Sequence, residues 1–195
     1  MFFECGKMTK KERILAEVVD HFMNKADEWR KAGLTQGFGG TQKLVSAGQW
    51  DSAAVEVAGL GANRSTIDKA VERYLSKIKN PFLHHDFIHR AVHMAKVGAS
   101  PGVVEKILKF MLKHYCHSWT INYLEELTLL LGRKPTREEI FALVQLERKN
   151  EATWDESLHR ALVALANKYL LGQDVERVEG MIKDKIREWS SHADI

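Results

Sequence analysis

Six of the nine histidines fall between positions 84 and 117, namely His84, His85, His89, His93, His114 and His117, and Cys116 lies among them. Neutral imidazole nitrogens and a thiolate are good zinc ligands, and two histidines four apart on a helix, as His85 and His89 are, can share one ion. If the segments flanking Gly98 to Pro101 form an antiparallel hairpin, the start of the first comes beside the end of the second. His85, His89, His114 and His117 then become the candidate site for zinc or another divalent metal; apart from that site the sequence calls for no cofactor. Helical spacing also describes a plainer state. At about 100° per residue, His85, His89 and His93 share the polar side with Asp86, Arg90 and Lys96, while Phe87, Ile88, Ala91, Val92 and Ala95 form the apolar side, with His84 turned toward it. Histidines so placed are solvated or pair with phosphate.

His85 followed by Asp86 resembles the paired ligands of HD-type metal phosphohydrolases, which implies phosphoester hydrolysis by His85, Asp86 and His89. That family also brings an upstream histidine and a downstream aspartate to the metal, for which the nearest residues are His21 and Asp155. Glu156 and His159 have the Glu-x-x-His spacing of carboxylate-bridged helical bundles, but the chain has no second copy. The loop Gly37 to Gly40 has no lysine followed by serine or threonine, and no strand precedes Gly59 and Gly61, so neither cradles a nucleotide. Cys116 and His117 point about 100° apart on a helix and cannot touch directly, so Cys116 is read as structural. The chain is therefore read as non-enzymatic, with no catalytic residue assigned, and metal-dependent phosphohydrolysis is the alternative.

The net charge of +3 is unevenly distributed. Leu60 to His117 carries ten Lys or Arg against four acids, leaving 19 and 22 in the remainder. A basic segment of this kind suits a polyanion, nucleic acid above all. Within it, Asp51 to Ile78 resembles the helix-turn-helix unit of transcription regulators, most closely over Leu60-Gly61-Ala62-Asn63-Arg64-Ser65-Thr66-Ile67. The resemblance implies a turn at Gly61, two helices locked by Ala62 and Ile67, and Val71, Tyr74, Leu75 and Ile78 facing the core. It also implies that Asn63, Arg64, Ser65 and Thr66 enter the major groove, with Lys69 and Arg73 a turn or two further on. Hydroxyls and helix-start amides bind phosphate oxygens, and an arginine can read a guanine edge. Lys77, Arg90 and Lys96 complete the expected contacts. Val57 stands where that family usually has alanine, and Asp68 and Glu72 put acids on the outward face. A second likeness, LGRKPTREEI over residues 131 to 140, resembles a junction of bacterial sigma factors, and helix punctuation explains nearly every letter of it.

The elements that must hold these residues are helices. Proline occurs only at 81, 101 and 135, between periodic segments, and no alternating β-branched run appears. Ile14, Val18, Phe22, Ala26 and Trp29 mark the apolar stripe of a first helix over about Thr9 to Ala32. Short pieces follow at 41 to 47 and 51 to 58, then helices at about 64 to 79 and 84 to 97. Ser100 caps the next helix, with Pro101 at its first position, and Val104, Ile107, Leu108, Met111 and Tyr115 form its stripe. A helix over 119 to 131 ends at Gly132. Thr136 with Glu139 and Thr153 with Glu156 are capping boxes that open two more. Leu158, Leu162, Leu165 and Tyr169 form a stripe on the second, and a last helix runs over about 174 to 189. The fold class expected is all-α, a compact bundle of about eight to ten helices without a sheet. It is read as a single domain over 1 to 195, with a sub-boundary near 80 to 82.

At 195 residues with 45% hydrophobic and 28% charged side chains, the chain can bury a core without staples and lies far from the disordered regime. Two cysteines 111 positions apart build no disulfide framework. The first residues lack a signal-peptide pattern, and no apolar run approaches the roughly 20 residues of a membrane span. These features lead us to expect a cytoplasmic protein with nucleic acid as partner and no membrane contact. Trp29, Trp50 and Trp189 are available as anchors for a homo-oligomer or another partner.

Overall fold

The computed structural model describes residues 8–35, 40–78, 84–114, 118–149 and 156–192, and these form nine α-helices with no strand among them. They are α1 (Lys10–Leu34), α2 (Gly40–Gly59), α3 (Arg64–Ser76), α4 (His84–Lys96), α5 (Pro101–His114), α6 (Ser118–Leu130), α7 (Arg137–Lys149), α8 (Glu156–Tyr169) and α9 (Gln173–His192). The chain divides into two compact units, Met1–Val103 and Val104–Ile195. The division falls inside α5, where the sequence suggested a sub-boundary near 80 to 82.

In the first unit, α1 and α2 form an antiparallel hairpin. Gly33 meets Gly40 at the closed end, the rings of Phe22 and Trp50 lie 5.4 Å apart midway, and Lys11 reaches Gly61 at the open end. The first helix starts at a capping box in which the Thr9 hydroxyl accepts from the Glu12 amide and the Glu12 carboxylate accepts from the Thr9 amide. Its buried stripe is Leu15, Val19, Met23, Ala26, Arg30 and Gly33, one position on from most of the expected stripe, and Ile14 and Trp29 are exposed. Periodicity gave the right helix but not its rotation, because the buried face includes a charged residue, Arg30, that no hydrophobic count would select.

The two short pieces expected over 41 to 58 are one continuous 20-residue helix. Gly48 does not break it, since a lone glycine costs only about 1 kcal/mol in a helix interior and here leaves room for the Arg90 guanidinium, whose Nη2 would lie 3.0 Å from a Cβ at that position. At the hairpin's closed end the glycine is required. A Cβ on Gly40 would stand 2.1 Å from the Gly33 carbonyl oxygen. Gly40→Ala is expected to force the helices apart and cost about 1–3 kcal/mol, as overpacking does; thermal denaturation followed by circular dichroism measures it, and an unchanged midpoint would contradict the close approach.

The third helix packs along α4 and touches α1, and α4 also touches α2. The expected core of α4 is found: Phe87, Ile88, Ala91, Val92 and Ala95 are all buried. So are Ile67, Val71, Tyr74 and Ile78 of the α3 segment, whereas Leu75 is half-buried. Gly98, with φ +141°, makes the turn into α5, which begins at Pro101 as expected.

In the second unit, α8 packs on α6, α7 and α9, and α7 also on α9. Val104, Ile107, Leu108, Met111, Leu158, Leu162 and Leu165 are buried as their spacing predicts, and Tyr169 is half-buried. The Thr136 and Glu139 capping box is present, with the Thr136 amide donating to Glu139 at 2.8 Å and the Glu139 amide to the Thr136 hydroxyl at 3.3 Å. Arg133 fastens the preceding turn, reaching Glu139 at 2.6 Å and Glu105 at 3.5 Å. Burial alone would raise the pKa of Glu139, but bonds from Arg133 and Thr136 outweigh it and hold the group below its usual value. Thr153, Tyr115 and the side chain of Trp189 lie outside the described residues.

Candidate nucleic-acid interface

Asn63 opens α3 as its N-cap, its side-chain oxygen accepting from the Thr66 amide at 2.9 Å and from the Thr66 hydroxyl at 3.0 Å. Gly61, with φ +108°, occupies the left-handed region that the preceding turn needs. Arg64, Ser65 and Lys69 are exposed, and none of them has an ion-pair or hydrogen-bond partner through its side chain among the described residues. Lys11, from the start of α1, joins them: its Nζ lies 3.4 Å from where a Cβ on Gly61 would stand. Lys10 and Arg13 flank it on the same helix turn and are equally exposed. The charge count along the sequence missed this contribution because those residues lie some fifty positions upstream; the signal that finds them is the antiparallel α1–α2 pairing.

Other expected contacts are committed elsewhere. Arg73 donates to Asn24 and Asp27, both at 2.6 Å, and Lys77 is also bonded to Asp27. Burial would raise the pKa of Asp27, yet the bonds from Lys77 and Arg73 outweigh it and leave the group below its ordinary value. Lys77 moves down as well, because its own burial outweighs the bond to Asp27. Two cations thus serve the one carboxylate of Asp27. Arg90 donates to Asp86 at 3.3 Å and to the Ser52 hydroxyl at 3.0 Å. Asp68, expected on the outward face, is half-buried and accepts the Ser100 amide at 2.7 Å. Lys96 is exposed on α4, away from the turn in sequence, and has a partner.

The first unit also holds a buried charged network. Asp51, fully buried, accepts from Arg30 and, at 2.9 Å, from the Tyr74 hydroxyl. Arg30 also reaches Asp86 at 3.2 Å and Asp27 at 3.5 Å, and its guanidinium lies over the Phe87 ring at 4.7 Å. Burial pushes the Tyr74 hydroxyl far up, so it stays a donor at any ordinary pH. Arg30, Asp86 and Arg90 also line a cleft of about 700 Å³ along α2, together with Gly48, Ser52 and Glu56.

The histidines divide. His89 and His93 have ring centroids 4.2 Å apart on the polar side of α4, and His114 lies 4.6 Å from the Phe110 ring. The side chains of His84 and His85, and all of Cys116 and His117, lie outside the described residues. Asp86, the aspartate of the phosphohydrolase resemblance, is engaged by two guanidinium groups. Among the described residues no group of three or more His, Cys, Asp or Glu is arranged to hold a metal ion. His159 turns inward, its Nε2 2.9 Å from Glu147 of α7, while Glu156 bonds the exposed Arg160 at 2.5 Å. Among the described residues no helix is long and apolar enough to cross a membrane. No family model, curated protein or solved structure matches the chain.

Proposed function

We propose that the protein binds nucleic acid, without catalysis, through the opening turn of α3 and the adjacent start of α1. The observation that carries this reading is the contrast among the cations of the first unit. Arg73, Lys77 and Arg90 are neutralised by Asp27, Asp51 and Asp86, whereas Arg64 and Lys11 at the capped turn and Lys69 on the next turn of α3 have no carboxylate partner among the described residues. Long cationic side chains beside the first amides of a helix match the charge and hydrogen-bonding pattern of phosphodiester oxygens. Arg64 and Ser65 are exposed at the first turn of α3, where they can reach a base edge, and Thr66 is held beside them by its bonds to Asn63.

Fluorescence anisotropy of a labelled duplex tests the proposal. The full chain is expected to bind at low salt and to weaken steeply as salt rises. Arg64→Ala combined with Lys69→Ala should lower affinity by roughly tenfold or more and flatten the salt dependence. Absence of binding at low salt, retention that ignores salt, or equal affinity in the double variant would each remove the interface.

A further inference from the structure

The second unit carries a groove of about 620 Å³ between α7 and α9, lined by Gln145, Arg148 and Lys149 from one helix and Arg177, Met181 and Glu188 from the other. Positions 145, 148 and 149 share one face of α7 by their spacing of three and four, and 177, 181 and 188 share one face of α9. Two adjoining helices thus aim their polar faces at a common space. The lining is lopsided in charge, three cations to one carboxylate, Glu188; Asp174, which Arg137 holds through two bonds, also feels the charge of Arg177, which helps to lower its pKa.

None of the three cations has an ion-pair or hydrogen-bond partner through its side chain among the described residues. Elsewhere on these helices arginines are held, as Arg137 is by Asp174 through two bonds of 2.6 and 2.7 Å. Arg177 is positioned differently. Its guanidinium lies over the Phe141 ring, 5.2 Å from the centroid, a contact that uses none of its five N–H donors. Arg148 and Lys149 lie in the last turn of α7, where cations complement the helix dipole. That accounts for two of the three but not for Arg177, which enters the same groove from another helix.

We propose that this groove is a binding site for phosphate groups, with Arg177 and Arg148 as bidentate donors and Lys149 as a mobile charge. Guanidinium forks match phosphate oxygens in geometry as well as charge, and the volume lies within the range of small-ligand sites. The shared chemistry is the phosphate oxyanion, supplied by a free oligophosphate or by a nucleic-acid backbone. The site belongs to Val104–Ile195 and does not depend on the α3 reading.

The test titrates the full chain by calorimetry with tripolyphosphate and, separately, with a short single-stranded oligonucleotide at low salt. Wild type is expected to bind tripolyphosphate, and Arg148→Gln with Arg177→Gln to weaken it by roughly 10- to 100-fold, the loss of about two charge-assisted contacts. Arg148→Gln with Lys149→Gln leaves the Phe141 contact intact and should show a loss of the same order. Arg64→Ala with Lys69→Ala should leave tripolyphosphate affinity unchanged, which separates this site from the α3 surface. If the groove variants also lose the oligonucleotide, a nucleic-acid backbone is the source; if only tripolyphosphate binding falls, the ligand is a free oligophosphate. Wild type binding neither probe, or groove variants with wild-type affinity for both, would overturn the proposal.

Discussion

Replacing Glu147 with alanine is expected to destabilise the protein by about 3–5 kcal/mol, the cost of stranding a buried charge. Glu147, His159 and Lys185 come from α7, α8 and α9, and their side chains are only 2%, 5% and 4% exposed. One carboxylate oxygen of Glu147 serves both neighbours at 2.9 Å, and Lys185 also reaches the Glu147 backbone carbonyl. Without the carboxylate the buried Lys185 ammonium loses the opposite charge that Glu147 supplies, and the Glu147 backbone carbonyl that it also reaches is neutral. The other carboxylate oxygen is buried without a hydrogen-bond partner, so the cluster is not fully satisfied even in the native protein. An apolar replacement of the pair should therefore recover most of the loss, and Glu147→Ala with Lys185→Met is expected to be far more stable than Glu147→Ala alone. Urea denaturation of both variants decides the matter. A single variant costing under about 1 kcal/mol, or a double variant with no recovery, would mean that Lys185 finds water or another partner.

This cluster also marks where sequence reading stopped. The spacing of Glu156 and His159 draws attention to a carboxylate and imidazole on one helix, whereas the carboxylate that meets His159 is Glu147 on the preceding helix, and no local pattern connects them. Helices and their starts were legible because their causes are local: Pro101 as a first helical residue, Thr136 with Glu139, and the apolar positions of α4 each act within a turn or two. The rotation of α1 was not legible, since Arg30 is buried for the sake of Asp51, 21 positions away. The candidate interface was legible in part. Asn63 to Thr66 stood out as a helix start, but distinguishing exposed Arg64 and Lys69 from neutralised Arg73, Lys77 and Arg90 required knowing that Asp27, Asp51 and Asp86 converge from three helices. The basic groove between α7 and α9 was hidden for the opposite reason. It lies in the part of the chain where acids outnumber bases, and there Asp174 is committed to Arg137, and Glu125 to Lys168 and Tyr169.

Asp51→Ala is expected to be the most damaging substitution in the first unit, with a loss of about 3–5 kcal/mol and a melting temperature lower by roughly 6–20 °C for a chain of this length. Asp51 stands on α2 and accepts from Arg30 of α1 and Tyr74 of α3, while the Nε of Arg90 on α4 lies 4.0 Å away. One side chain therefore links α1, α2, α3 and α4. Its removal leaves the Tyr74 hydroxyl, in a fully buried residue, without its acceptor, and shifts the positive charge of Arg30 onto Asp86 and Asp27, which are themselves shared with Arg90, Arg73 and Lys77. The two losses can be separated. Tyr74→Phe deletes only the hydroxyl and should cost about 0.5–1.5 kcal/mol, whereas Asp51→Asn keeps the shape and removes the charge, so its cost should lie nearer that of alanine. Such an ordering would show that Asp51 acts chiefly as the counter-ion of Arg30. If Tyr74→Phe instead proves as costly as Asp51→Ala, the hydroxyl contact carries the junction and the charge network around Arg30 is self-sufficient without Asp51.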